Sequence, residues 1–254
     1  MLIQCPEQFR LRRIVKVPET RGVDAFLGVV DHETHALNLR QKIHTSTDLS
    51  SDLMAVNYGN RWDATLMEEE PDWQKETPEE TKDLGLLMME TYHEAVSPTL
   101  HPIRVEERFE QHFHGIPIPV VGYPDVEEDK RIVERKTTKT KLAKPKSKWT
   151  VQGRIYSMVY DKPVEYHVVT KQKTPQLVTP LSNEEFLLTP DHHDTTLMLI
   201  EQAATMLNEY WLRYGPENPW PTTGLYHDWL CSYCFAGPKY GNFCAAWKGK
   251  DGTS

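Results

Sequence analysis

The residue pattern of the chain changes near Pro102, and this change limits the folds that the chain can adopt. Before it, apolar residues recur at the three- and four-residue intervals of amphipathic helices. The spacing predicts three helices, over 23–43, 49–67 and 77–95. The third opens with Thr-Pro-Glu-Glu, in which Thr77 can cap the helix and the proline fits its first turn. The first hundred residues are therefore predicted to be mainly helical.

Beyond that point, short β-branched segments bounded by proline, glycine or charged residues predict strands. The order is three strands, a helix, a strand and a second long helix, at 103–113, 118–128, 130–138, 148–160, 164–170 and 194–214. This order indicates an α/β fold with a mixed central sheet flanked by helices. We expect a single domain over 1–254, made of a helical region (1–100), a catalytic core (101–214) and a tail (215–254).

Composition argues against a membrane protein and against a chain-wide attraction to nucleic acid. No apolar run approaches the roughly 20 residues that a spanning helix needs, and the first residues lack the apolar centre of a secretory signal. We therefore expect a cytoplasmic protein. Lys and Arg number 29 against 37 Asp and Glu, a formal charge of −8, so any contact with nucleic acid must come from a local basic patch.

One such patch follows the predicted strands. Residues 130–148 contain nine Lys or Arg and a single acid, Glu134. A solvated loop would account for this composition, and contact with the phosphate backbone of DNA is the alternative that we favour. The residues predicted to contact DNA are Arg135, Lys139, Lys141, Lys144, Lys146 and Lys148.

Two carboxylates and a lysine lie close together in the predicted strands. Glu134 and Lys136 are two residues apart, so they share one face of their strand. A hairpin connection would bring Asp125, near the end of the preceding strand, alongside them. Converging carboxylates make an oxygen-rich site that suits Mg²⁺ or Mn²⁺, and an ammonium beside it can stabilise charge during phosphodiester hydrolysis.

The motifs around these residues resemble a known family. Gly-Tyr-Pro-Asp ending at Asp125, Glu-Arg-Lys-Thr from Glu134 and Gln-Gly-Arg-Ile-Tyr from Gln152 resemble, in this order, the RecB-like branch of the PD-(D/E)XK nuclease superfamily. The resemblance implies metal at Asp125 and Glu134 and catalytic assistance from Lys136. It also implies that Gln152 and Tyr156 orient the substrate or the lysine, and that Glu106 occupies an acidic position of the family. RecB-like proteins usually carry Asp where this chain has Glu134.

The same resemblance implies a histidine ligand on an earlier helix. RecB-like members place it four residues after a glycine, which fits Gly28 and His32. His35 competes for this role because it lies on nearly the same helical face. A histidine on a helix surface, without any ligand role, is the other interpretation.

The four cysteines are the remaining candidate ligands. Cys231, Cys234 and Cys244 form C-x2-C-x9-C near the end of the chain, and Cys5 would supply a fourth ligand if the two ends meet. The residues that follow Cys5 resemble the C-P-x-x-F motif of the iron-sulfur nucleases of the RecB-like group, which include the AddB nuclease domain and the CRISPR adaptation-module exonucleases. The resemblance implies a 4Fe-4S cluster that joins the tail to the N-terminus; zinc at the same ligands is the alternative.

These features together predict a metal-dependent DNA exonuclease that acts preferentially on single-stranded ends in replication, recombination or repair. A structure-specific endonuclease and a non-catalytic DNA-binding scaffold on the same fold are the alternatives. The sequence contains no G-x-x-x-x-G-K-[ST] phosphate loop, so a helicase would be a separate partner. A homo-oligomer is compatible with the resemblance.

Overall fold

The computed structural model of the chain describes residues 5–73, 75–189, 193–222, 231, 234–237 and 244. It divides into two compact units. We call residues 21–112 and 119–196 the central unit, and residues 1–20, 113–118 and 197–254 the terminal unit. No helix among the described residues is long and apolar enough to cross a membrane.

Three long helices open the central unit, and their ends follow from local capping chemistry. Helix α2 covers Val23–Thr45, α3 covers Ser51–Glu68 and α4 covers Pro78–Ala95, close to the predicted bounds. The Ser50 hydroxyl accepts a hydrogen bond from the Leu53 N–H at the start of α3. Thr77 does the same for α4, where it accepts from the Glu80 N–H. These side chains satisfy N–H groups that the first helical turn leaves without partners.

The sheet of the central unit is mixed. Its strands are β1 (Arg104–Val105), β4 (Val126–Glu127), β5 (Ile132–Thr138), β6 (Val164–Thr170), β7 (Leu177–Val178) and β8 (Leu187–Leu188). They run in the order β1-β4-β5-β6-β7, with β8 also pairing with β6. Only β5 and β6 are parallel, and helix α5 (Ser147–Tyr160) connects them. A separate antiparallel pair is formed by β2 (Phe109–Gln111) and β3 (Val120–Gly122).

Two of the predicted long strands are interrupted. Glu106, with φ of 52°, separates β1 from β2, and a turn containing Pro124 separates β3 from β4. A left-handed residue and a proline both break a hydrogen-bonded ladder, so each predicted strand becomes two short ones. The strand at 164–170 is confirmed to the residue, and the short strands β7 and β8 were not predicted.

The two faces of β5 pack against different cores. Val133 belongs to the cluster that contains the buried residues of α2, α3 and α4. Ile132 belongs to the cluster around α5, with Trp149 and Tyr166. Because side chains alternate along a strand, Glu134 and Lys136 share the face of Ile132, and Arg135 shares the face of Val133.

The terminal unit contains α1 (Pro6–Phe9), a following π-helical turn (Arg10–Val15) and most of α6 (His193–Tyr214). Glu7 is buried and receives two hydrogen bonds from Arg10 and one, of 2.6 Å, from the Trp220 N–H. Leu11 packs against Phe235 in a small apolar cluster. Residues near the start of the chain therefore contact residues near its end within this unit.

Candidate active site

Strand β5 supplies a carboxylate and an ammonium to one site. Glu134 is fully buried, and its Oε2 accepts a hydrogen bond of 2.7 Å from Lys136 Nζ. Burial and then the charge of Asp125 raise the pKa of Glu134 above its ordinary value. Burial lowers the pKa of Lys136, but the carboxylates of Asp125 and Glu134 outweigh it and the net shift is upward. The lysine is therefore held in its charged form.

Asp125 lies in the turn before β4, and two backbone hydrogen bonds connect it to β5. Its Oδ2 accepts from the Arg135 N–H at 2.6 Å, and its own N–H donates to Glu134 Oε1 at 3.1 Å. Antiparallel pairing of β4 with β5 places Val126 opposite Val133 and so sets this approach. The structure therefore brings Asp125, Glu134 and Lys136 together.

Of the two candidate histidines on α2, the structure places His32 at this site. His32 Nε2 lies 3.3 Å from Asp125 Oδ2 and 3.2 Å from the carbonyl oxygen of Arg135. Burial lowers the pKa of His32, but the charge of Asp125 and a contact with Glu106 shift it above its ordinary value. His35 is buried elsewhere, with its ring edge-on to Tyr92 and its Nε2 3.6 Å from Asp31.

Glu106 contacts the histidine from the opposite side. Its Oε1 lies 3.5 Å from His32 Nδ1, and its Oε2 accepts from Arg40 at 2.8 Å. The contact with His32 holds the pKa of Glu106 below its usual range. Sequence analysis did not identify Arg40, although its position eight residues after His32 puts it on the same face of α2.

Tyr156 contacts the turn before Asp125, and Gln152 contacts Tyr156. Gln152 Nε2 donates to the Tyr156 hydroxyl at 3.0 Å, and that hydroxyl donates to the carbonyl oxygen of Tyr123 at 3.2 Å. A Cβ on Gly122 would lie 2.4 Å from the Phe109 ring of the paired strand and 2.8 Å from the Tyr156 ring, so a larger residue there would displace both rings. Burial raises the pKa of Tyr156 to about 12. These contacts hold the turn that carries Asp125, and the implied role of Gln152 and Tyr156 in orienting the substrate or Lys136 stays a prediction.

The side chains of Asp125, Glu134 and His32 have the chemistry that suits a hard divalent cation. Two carboxylates and an imidazole converge, and the charge of Asp125 adds to burial in disfavouring the ionised form of Glu134. Within the described ranges, however, no three His, Cys, Asp or Glu side chains are already arranged as a metal cage. The carboxylate oxygens are instead engaged by backbone N–H groups and by Lys136.

A cleft of about 520 Å³ opens beside the lysine. His32 and Lys136 line it together with Lys146, Lys148 and Trp149. Three other predicted DNA contacts on this segment are exposed but do not line the cleft: Lys139, Lys141 and Lys144.

Arg135 is not available for contact with DNA. It is 4% exposed, and its guanidinium lies 3.2 Å from Asp31 in the interior. The prediction that Arg135 binds phosphate is therefore wrong, because counting basic residues along a segment ignores the alternation of faces on β5.

The cysteines lie in the terminal unit. Cys5 precedes α1, and Gln8 Nε2 of that helix lies 3.6 Å from Cys234 Sγ. Cys234 and Cys244 pack against the cluster of Leu11 and Phe235. Among the described residues, the sulfurs of Cys234 and Cys244 do not form a group with other His, Cys, Asp or Glu side chains that could hold a metal ion.

A mixed sheet whose parallel strand carries a Glu-x-Lys pair, beside an Asp from the neighbouring hairpin, has the arrangement that the resemblance to PD-(D/E)XK nucleases implies. The sequence model of the PD-(D/E)XK nuclease superfamily matches residues 1–237, and the chain belongs to that superfamily. Its members typically use Mg²⁺ or Mn²⁺.

Two solved structures show a distant similarity in fold. The crystal structure of a provisionally assigned exonuclease from Eubacterium rectale has 13% sequence identity and a TM-score of 0.44, over 64% of this chain and 70% of that one. The crystal structure of SSO0001 has 16% identity and a TM-score of 0.38, over 83% of this chain and 96% of that one. No curated protein matches the chain. The assignment therefore rests on the superfamily match.

Proposed function

We propose that the protein is a metal-dependent DNA exonuclease that degrades single-stranded ends. The observation that carries the proposal is the position of Lys136, paired with Glu134 at 2.7 Å and lining a cleft that also contains Lys146 and Lys148. Lysines at a cleft wall attract the phosphate backbone of a nucleic acid, and here they line the cleft together with the acids Asp24, Glu33 and Glu106. The exonuclease mode follows from the resemblance to RecB-like exonucleases.

Asp125, Glu134 and His32 are the side chains that would hold the cation. A divalent cation there supplies positive charge against the phosphate and activates water for attack. Lys136 contributes a second positive charge at the cleft wall, where it stabilises the charge that develops as the new P–O bond forms and the bond to the departing nucleotide breaks. Glu106 holds the His32 ring, and Tyr156 holds the turn that carries Asp125.

The test is digestion of linear single-stranded DNA labelled in turn at each end, with Mn²⁺ or Mg²⁺. We expect progressive shortening from one end that a chelator abolishes, and no cutting of a circular strand of the same sequence. Cutting of the circular strand would show that the protein is an endonuclease and not an exonuclease. Binding of the linear strand without cleavage would instead favour a scaffold. A helicase partner and self-association remain predictions.

We also propose that the four cysteines hold a 4Fe-4S cluster. Four thiols in this spacing suit iron-sulfur or zinc, and the contact of Gln8 with Cys234 supports an approach of the two ends of the chain. We expect anaerobically purified protein to absorb visible light and contain iron, and Cys5→Ser and Cys234→Ser to lose both. Colourless protein with stoichiometric zinc would contradict the cluster.

A further inference from the structure

Arg135 stands between the two site residues of β5, yet its side chain points to the other face of the sheet. Its guanidinium lies 3.2 Å from Asp31 Oδ2 and 5.1 Å from the centre of the Tyr92 ring. Asp31 is 1% exposed and Arg135 is 4% exposed, so a full charge pair is buried inside the helical core of the central unit.

The backbone of Arg135 contacts the proposed site directly. Its N–H donates to Asp125 Oδ2 at 2.6 Å, and its carbonyl oxygen lies 3.2 Å from His32 Nε2. Asp31 immediately precedes His32 on α2. Two neighbouring residues of α2 therefore contact one residue of β5, the first through its side chain and the second through its backbone.

Stability alone explains this pair poorly. Removing two charges from water is costly, and the attraction between them often fails to offset that cost. The pair is also incompletely compensated: Asp31 Oδ2 and both terminal nitrogens of Arg135 make no hydrogen bond within the described part of the chain. An apolar pair of similar volume would avoid the cost of removing both charges from water, although His35 Nε2, which lies 3.6 Å from Asp31 Oδ1, would lose that neighbour. The charges fix a geometry that apolar side chains would leave less defined.

We propose that Asp31 and Arg135 are positioning residues that fix α2 against β5 and thereby set the spacing of His32 and Asp125. This inference rests on the proposed function, in which those two side chains hold the cation. A small shift of α2 along β5 would change the 3.3 Å separation of His32 Nε2 and Asp125 Oδ2 without removing either group. The pair therefore controls the affinity of the site for a divalent cation.

The test is the double variant Asp31→Leu/Arg135→Met, which keeps the backbone hydrogen bonds of residue 135. We expect Mn²⁺ affinity, measured by calorimetry without DNA, to fall by about 10- to 100-fold, as is typical when supporting partners of metal ligands are removed. The half-saturating Mn²⁺ concentration for cleavage should rise by the same factor, and added Mn²⁺ should restore part of the rate. Denaturant unfolding should show stability equal to that of the wild type or higher.

The matched control is Lys42→Met/Asp48→Asn, which removes the ion pair (2.8 Å) between the buried Lys42 of α2 and the partly buried Asp48 after that helix, away from the site. It should leave the Mn²⁺ affinity unchanged. Arg135→Lys retains a charge opposite Asp31 and should hold Mn²⁺ more tightly than the double variant but less tightly than the wild type. If the double variant does not fold, Arg135→Lys is compared with the wild type alone, and an unchanged Mn²⁺ affinity would then overturn the positioning role. Wild-type affinity in the double variant, or equal loss in Arg135→Lys, would overturn the positioning role. Failure of the wild type to bind Mn²⁺ and cut DNA would instead overturn the proposed function.

Discussion

Replacing Lys136 with methionine is expected to slow cleavage of single-stranded DNA by about 10²- to 10³-fold, the usual effect of removing one preorganised charge from an active site. Methionine keeps much of the length of the side chain and removes the ammonium that contacts Glu134 and lines the cleft. Binding of DNA should change little, because Lys146 and Lys148 remain at the cleft wall. The measurement is the single-turnover rate at saturating Mn²⁺.

Lys162→Met provides a closely matched control for that change. Lys162 is exposed to the same degree as Lys136, 19% against 18%, and its Nζ lies 2.7 Å from the buried Glu127. It does not line the cleft, so its loss should reduce stability without slowing cleavage. Undiminished cleavage by Lys136→Met, or equal slowing by both variants, would show that Lys136 has no special role.

Local rules predicted most of the helices and the pair of residues on β5. The Thr77 cap and the helical periodicity predicted the ends of α4 closely, because both depend only on neighbouring residues. Strand alternation likewise placed Glu134 and Lys136 on one face. These features require no knowledge of what packs against them.

The rest depended on tertiary packing. Which of His32 and His35, three residues apart on α2, lies beside Asp125 depends on how the helix packs on the sheet, and the periodicity of the helix does not show this. The alternation of side chains along β5 already predicted that Arg135 and Glu134 lie on opposite faces of the sheet. Only the position of α2 shows that the face of Arg135 is buried. The carboxylate of Asp31, opposite the Arg135 guanidinium, explains a charged residue at this buried position.

Glu134→Gln is the second change with a large expected effect, and it should act in opposite directions on function and on stability. Cleavage should fall by at least about 10²-fold, because the amide loses a negative ligand charge and the partner of Lys136. Without metal, the folded protein should become more stable at about pH 8. Burial and the charge of Asp125 raise the pKa of Glu134, so the ionised side chain disfavours folding, and glutamine resembles its protonated form.

The sign of the pH dependence follows from that shift. A carboxyl whose pKa is higher in the folded state than its value of 4.5 in the unfolded state stabilises the fold at low pH, and this contribution is lost as the pH rises through the folded pKa. The advantage of Glu134→Gln, measured by denaturant unfolding in a chelator, should therefore shrink as the pH falls toward 4.5.

Glu165→Gln on β6 should show the reverse behaviour. Burial raises the pKa of Glu165, but its contacts with His167 and Arg131 outweigh this and hold the pKa below the usual range. The ionised form therefore stabilises the fold above the unfolded pKa, and its neutral replacement should lower stability at about pH 8 while leaving cleavage intact. If Glu134→Gln instead destabilised the metal-free protein as much as Glu165→Gln does, the ion pair with Lys136 would outweigh burial. The ionised Glu134 would then stabilise the metal-free fold. Its charge would not be a destabilising feature that is retained because it binds a cation.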